Sequence, residues 1–235
     1  MKNKYVFILT LTIVCSLLLS LAAKGLEERK NKNIEIDMKK NILSAIGIDV
    51  NSFSISDIDS YFSNKIDTLV INLEGDVIEK LSIDDLIQVE NKQNGEVRYL
   101  YNNQEYLPLY NETEKKVIII PISGKGLWSS LFGYFAVDTK DYSTVKGITF
   151  YRHGETPGLG GEISATWFQE NFIGKKIYSS NDSLQSITVI KGKAPENAQH
   201  HVDGISGATI TSNGVTALLN RDLKRYEPYF VKNRK

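Results

Sequence analysis

The chain has 235 residues, with 28 Lys+Arg against 28 Asp+Glu, so it is formally neutral; 41% of its residues are hydrophobic and 24% are charged. That balance excludes a global basic field for holding nucleic acid and an acidic solvating tail, and the apolar share excludes wholesale disorder. The single cysteine, Cys15, excludes an intrachain disulfide, a four-cysteine zinc site and a Cys-ligated iron–sulfur cluster built from this chain alone.

The first element is an apolar run. Fifteen of the nineteen residues from Tyr5 to Ala23 are apolar, the others are Thr10, Thr12, Ser16 and Ser20, and none is charged. As a helix the run is about 29 Å long, close to the roughly 30 Å of a bilayer's hydrocarbon core. Ser20-Leu21-Ala22 has the small-x-small pattern of a cleaved signal peptide, but the apolar cores of such peptides, about 7–15 residues, are shorter than this. The reading is an uncleaved transmembrane helix over 5–23, with Cys15 as a small apolar residue within it. Lys2, Lys4 and the terminal amine favour a cytoplasmic segment over 1–4. Lys24, Arg29, Lys30 and Lys32 load the other flank, and long domains translocate largely regardless of charge, so charge leaves the topology open. No carboxylate lies in 5–23, which argues against an ion site within the bilayer.

Residues 24–46 begin rich in Lys, Glu and Asn, then place Met38, Ile42, Leu43 and Ile46 at helical spacing, which predicts a linker helix whose second half docks on a domain. A single soluble region follows over 47–235. Thr68–Leu73 reads as a strand, and the continuous run Val117–Pro121 suits a buried central strand. Phe132–Val137 and Val145–Tyr151 predict paired strands. Ala165–Phe172 predicts a short helix and Ile187–Ile190 another strand. From Ser212 onward, Val215, Leu218, Leu219 and Leu223 mark one face of a helix expected to end before Pro228, with Thr211, Ser212 or Asn213 as candidate N-caps. The fold class is therefore α+β, a mixed sheet with flanking helices behind one N-terminal transmembrane helix.

Neither a P-loop nor a dinucleotide fingerprint is present, since Gly158-Leu159-Gly160-Gly161 does not fit G-x-G-x-x-G. H-E-x-x-H and G-x-S-x-G are absent too. With only His153, His200 and His201, a His-rich metal centre is not expected, and no metal ligands are assigned.

Three segments are built for a ligand or for tight structural turns. In Ser123-Gly124-Lys125-Gly126-Leu127-Trp128 the glycines permit close backbone approach, and Trp128 is either a stacking surface or a core residue. Arg152-His153-Gly154-Glu155-Thr156-Pro157-Gly158-Leu159-Gly160-Gly161-Glu162 is either a loop that presents N–H groups to a planar or anionic ligand or a structural crossover. His153 is either a base or a hydrogen-bonded surface histidine. Val202-Asp203-Gly204-Ile205-Ser206-Gly207-Ala208-Thr209-Ile210-Thr211-Ser212-Asn213-Gly214 combines small residues with recurring hydroxyls ahead of a helix, whose N-terminus is a natural phosphate site.

Asp203-Gly204-Ile205-Ser206-Gly207-Ala208-Thr209 resembles the flavinylation motif of the FMN-binding domain family, in which the FMN phosphate is esterified to the final Thr. With Gly124–Trp128, His153–Glu162 and Thr209–Val215, nearly the whole chain is similar to the family of C subunits of sodium-translocating NADH:quinone oxidoreductases. The resemblance implies an FMN-binding domain at about 117–225 and a covalent FMN on Thr209. It implies cofactor contacts at Ser206, Gly207, Ala208, Thr211, Trp128, Glu155, Thr156, Gly158 and Leu159. A separate flavin transferase would recognise Asp203, Gly204, Ser206, Gly207, Ala208 and Thr209, and no catalytic residue is implied in this chain. The implied function is an electron relay from NADH toward quinone, coupled to sodium transport, with no NADH site here. Implied partners are the membrane and flavin/iron–sulfur subunits of a six-subunit assembly, with no nucleic acid. The implied location is a bacterial inner membrane, single-pass, with the C-terminal domain on the periplasmic side. The FMN-carrying subunit of a ferredoxin:NAD-oxidoreducing Rnf complex shares the anchor and the Thr motif. An anchored extracytoplasmic ligand-binding module is the alternative from another class.

Overall fold

The computed structural model describes residues 2–234 and resolves into two units, one up to residue 38 and one from residue 39 onward. The first unit is helical throughout, as the opening part of α1 (Lys2–Ala45), and its side chains from Asn3 to Glu35 are all exposed. Among the described residues this is one helix long and apolar enough to cross a membrane. Its polar positions do not disturb it, because the Thr10 and Thr12 hydroxyls donate to the carbonyls of Val6 and Ile8 one turn earlier, each at 2.9 Å.

The second unit starts with the end of α1, where Ile42, Leu43, Ala45 and Ile46 are buried. Ala45 lies so close to the sheet that a Cβ on Gly147 would meet its carbonyl oxygen at 2.4 Å. A capping box between Ser54 and Asp57 starts α2 (Ile55–Lys65). The sheet then runs through β1 (Ile66–Ile71), β2 (Ile87–Asn91), β3 (Glu96–Tyr101), β4 (Gln104–Glu112), β5 (Val117–Lys125), β6 (Ser130–Asp138) and β7 (Val145–Arg152). Its order is β2-β3-β4-β5-β6-β7, with β1 paired to β4 and every pairing antiparallel. The expected pairing of 132–137 with 145–151 is β6 on β7. Along β5 both faces are covered, as a continuous apolar run requires: Val117 to Ile120 are all buried. The short α3 (Thr166–Glu170), the parallel pair β8 (Thr188–Val189) and β9 (His201–Val202), and the long α4 (Thr209–Asn233) complete the α+β fold.

Two expectations about α4 are corrected. It begins at Thr209, with Ala208 in the N-cap position and no side-chain cap, so Thr211, Ser212 and Asn213 lie inside the helix. It also continues through Pro228 to Asn233. An interior proline costs about 3 kcal/mol or more, and burial on both sides of it offsets that cost. Tyr226, Tyr229 and Phe230 are buried, and the Tyr226 hydroxyl donates to the Pro108 carbonyl at 2.6 Å.

The same helix carries a buried carboxylate onto the sheet. Asp222 accepts the Ser123 N–H at 2.9 Å and pairs with Arg221 at 2.7 Å, while Arg225 stands 3.8 Å away. Burial pushes the Asp222 carboxyl up despite these partners. This polar clamp fixes how far α4 slides along β5, and with it the position of the helix's first turn.

Candidate functional site

Glycines and one carboxylate draw the three loop segments together. At the end of β5, a Cβ on Gly124 would meet Leu218 of α4 at 2.5 Å, and one on Gly214 would meet the Lys125 carbonyl oxygen at 2.1 Å. The helix can approach the strand this closely only because neither position carries a side chain. Gly214→Ala in an open helix would gain about 1 kcal/mol of propensity. Here the sign reverses, and the variant is expected to lose about 1–3 kcal/mol through forced separation of α4 from β5. A denaturant midpoint that stays level or rises would show that the helix draws back freely.

Glu155 is the central connector. Its carboxylate is buried and accepts the N–H groups of Leu127, Trp128 and Ser129 at 3.1, 2.9 and 3.1 Å. It also accepts the Thr211 hydroxyl at 2.6 Å, so one side chain joins the 124–129 turn, the 152–162 loop and α4. Desolvation pushes its carboxyl up, but the Thr211 hydroxyl and the three N–H groups outweigh it and hold the group below its ordinary value. Gly126 and Gly160 clear the space: a Cβ on either would come within 2.8 Å of the Glu155 carboxylate.

The neighbouring histidine is structural. His153 Nδ1 accepts the Glu155 N–H at 3.2 Å, which leaves the proton on Nε2, 2.8 Å from Ser164 Oγ. Ser164 in turn donates to the Phe150 carbonyl. Of the two readings for His153, the hydrogen-bonded residue is the one realised.

The third segment turns at Gly207, whose φ of +73° suits glycine, and a Cβ there would meet Leu159 Cδ2 at 2.8 Å. Gly204 presses against the Ile190 carbonyl and donates its N–H to the Gly192 carbonyl at 2.8 Å. Asp203 accepts the Ala194 N–H at 2.8 Å. The segment from Val189 to Gly192, the turn at 204–207 and the first turn of α4 thereby border a cavity of about 290 Å³. Ser206, Gly207 and Thr209 line it on one side, with Gly204, Ile205, Ser212 and Asn213; Val189 to Gly192 form the other wall.

The structure sorts the implied cofactor residues into groups. Ser206, Gly207 and Thr209 border the cavity, whereas Ala208 is buried beneath the turn. Trp128, 68% exposed, is not a core residue; Leu127 and Leu159 are exposed as well, and none of the three lines the cavity. Thr156 and Gly158 lie on the exposed loop, where the Thr156 carbonyl accepts from Leu159 and Gly161. Glu155 and Thr211 spend their polar atoms on each other and on the loop backbone. The wall from Val189 to Gly192 reads in the sequence only as a strand. The one signal of its further role is Lys191-Gly192-Lys193, a glycine between two lysines directly after that strand.

Like the exposed Ser206, Thr209 offers an available hydroxyl at the site. It is exposed at the first position of α4, and its side chain makes no hydrogen bond among the described residues. The first N–H groups of the helix have no intrahelical acceptor, and no side chain caps them. The Ser212 hydroxyl, one turn on, is buried and unpartnered. Together these donors fit an anionic, phosphate-bearing group such as the FMN phosphate.

The FMN-binding domain family matches residues 126–224, a span that holds the second and third loop segments whole and the first from Gly126 onward. The Na(+)-translocating NADH-quinone reductase C subunit of Vibrio alginolyticus is 34% identical over 250 residues, covering 97% of this chain and 93% of that protein. The C subunit of the Yersinia pestis enzyme is 34% identical, covering 91% and 85%. The crystal structure of the Na(+)-translocating NADH-quinone reductase C subunit from Parabacteroides distasonis superposes with a TM-score of 0.68 at 29% identity, over 87% of this chain and 96% of that one. Shewanella oneidensis NqrC, at 22% identity, shares the fold with a TM-score of 0.69, over 87% and 98%. With this identity sustained along nearly its whole length, the chain belongs to the NqrC family, the C subunits of Na(+)-translocating NADH-quinone reductases.

Proposed function

We propose that this chain carries FMN as a phosphoester on Thr209 and serves as an electron-relay subunit of a sodium-pumping NADH:quinone oxidoreductase. The observation that carries the reading is the Thr209 hydroxyl, exposed and unpartnered at the uncapped start of α4, beside a cavity of cofactor-fragment size. When bound, FMN supplies the redox chemistry, and the protein supplies position and electrostatics. Thr209 contributes an ordinary hydroxyl that hydrogen-bonds to no base among the described residues, and in this reading attachment falls to a separate flavin transferase that reads Asp203–Thr209. The first turn of α4 offers its N–H groups to the phosphoryl charge. Glu155 keeps the exposed Leu127 and Trp128 in register with that turn. Tethering maintains a high local concentration of cofactor at a site whose walls would otherwise release it.

In this reading residues 5–23 span the inner membrane, 24–46 form a linker helix, and the region from 47 onward works on the periplasmic side. The NADH site belongs to another subunit, and the chain acts within the complex, receiving electrons from one partner and handing them to the next. The test uses the full chain coproduced with a flavin transferase and digested with trypsin. The peptide Ala194–Arg221 is expected to gain the mass of FMN less one water, localised to Thr209. A peptide at its unmodified mass in a transferase-treated sample overturns the reading.

A further inference from the structure

The cavity beside Thr209 holds two polar groups that neither the loop network nor the hydrophobic core uses. Ser212 is 4% exposed, and its hydroxyl has no hydrogen-bond partner. It lies three residues after Thr209, so the two side chains share one face of α4, and both residues line the cavity. A buried hydroxyl without a partner is costly, and of the three such hydroxyls among the described residues, on Tyr178, Ser186 and Ser212, only Ser212 lines the cavity, where an incoming group can satisfy it. On the facing wall stands Lys191, exposed and in no ion pair among the described residues. The nearest acidic residue of the flavinylation motif, Asp203, already accepts the Ala194 N–H.

The donors all have one sign. The uncapped first turn of α4, Ser212 and Lys191 border the same space, and none of the residues lining the cavity is acidic. Gly192, at φ +80°, and Gly204, with no room for a Cβ against the Ile190 carbonyl, bring the backbone of the facing wall close without filling the space. Such a constellation selects a singly charged tetrahedral anion held at short range. We infer that Ser212 Oγ and Lys191 Nζ, with the first-turn N–H groups of α4, form a subsite for the phosphodiester that links the flavin to Thr209. The inference rests on the reading of Thr209 as the acceptor. Ser212 and Lys191 are positioning residues: they fix the phosphorus and so the direction in which the ribityl chain leaves.

The test is the ³¹P resonance of the full-length, transferase-treated chain in detergent. The wild type is expected to show one diester signal, displaced in Ser212→Ala and again in Lys191→Met, and restored toward its original position in Lys191→Arg. Lys193→Met serves as the control, because Lys193 is exposed and does not line the cavity. Lys191 is on the surface, so its variants fold whatever happens to Ser212→Ala. A diester signal unmoved by Lys191→Met, or moved equally by Lys193→Met, overturns the subsite. Absence of any diester signal in the wild type sinks the Thr209 reading itself, so the two failures are told apart.

Discussion

Replacing Thr209 with alanine removes flavin from the denatured protein altogether while leaving the fold intact. The expected result is complete loss of in-gel fluorescence after denaturing electrophoresis of the full chain coproduced with the transferase. Thr209 is exposed and makes no side-chain hydrogen bond, and alanine is the better helix former at that position, so stability should stay within about 0.5 kcal/mol of the parent. Thr209→Ser separates chemistry from geometry: it keeps a hydroxyl at the same point, now a primary one, and should retain a flavin signal. Fluorescence that survives Thr209→Ala would place the linkage on another residue, with the neighbouring hydroxyls of Ser206 and Thr211 the first to examine. Of those two, Thr211 is disfavoured in advance, because its hydroxyl is buried against Glu155.

Glu155→Ala should be the most damaging single change to the site's architecture. Three backbone N–H groups and the Thr211 hydroxyl lose one common acceptor, and buried donors left without partners cost about 1–3 kcal/mol each when nothing replaces the lost bond. Water entering the vacated space recovers part of this, so a net loss of about 2–5 kcal/mol is expected, read as a lower denaturant midpoint. Glu155→Gln keeps an acceptor oxygen and should lose less. In flavinylated protein both variants should also loosen the backbone of Leu127, Trp128 and Ser129; if that turn borders the flavin, as proposed, flavin fluorescence anisotropy falls.

The pH dependence follows from the same bonds. The folded Glu155 carboxyl is held below its ordinary value, so the unfolded chain binds the proton more tightly. The stabilisation is fully present above the unfolded pKa of about 4.3 and is lost as pH falls through the folded value. Other carboxylates shift the same way, Asp138 and Asp141 among them, so the wild type alone does not isolate the effect. The difference does. Between about pH 6 and about pH 3 the parent should lose more stability than Glu155→Gln, which has no proton to take up. Parallel curves for the two proteins would mean that the Glu155 carboxyl titrates alike in the folded and the unfolded chain, so that its bonds contribute no pH-dependent stability.

The parts of this protein governed by near neighbours were legible in its sequence. The uncharged run from Tyr5 to Ala23 falls within α1, the apolar run at Val117 is the covered strand β5, and Val215, Leu218, Leu219 and Leu223 all turn into the core along α4. The α+β class and the family were legible for a related reason, since strand and helix periods and the 203–209 motif are local strings. What tertiary structure alone decided begins where partners lie far apart in the chain. Glu155 meets Thr211 across 56 residues, and that pairing depends on how α4 is seated on β5 by Gly124, Gly214 and Asp222. The start of α4 at Thr209 and its passage through Pro228 overrode local capping and proline rules, because burial against the sheet supplied more than those signals cost. The cavity wall at Val189–Gly192 continues from the two-residue parallel pairing of Thr188–Val189 with His201–Val202, too short to leave a period in the sequence and set only by how the chain returns to itself.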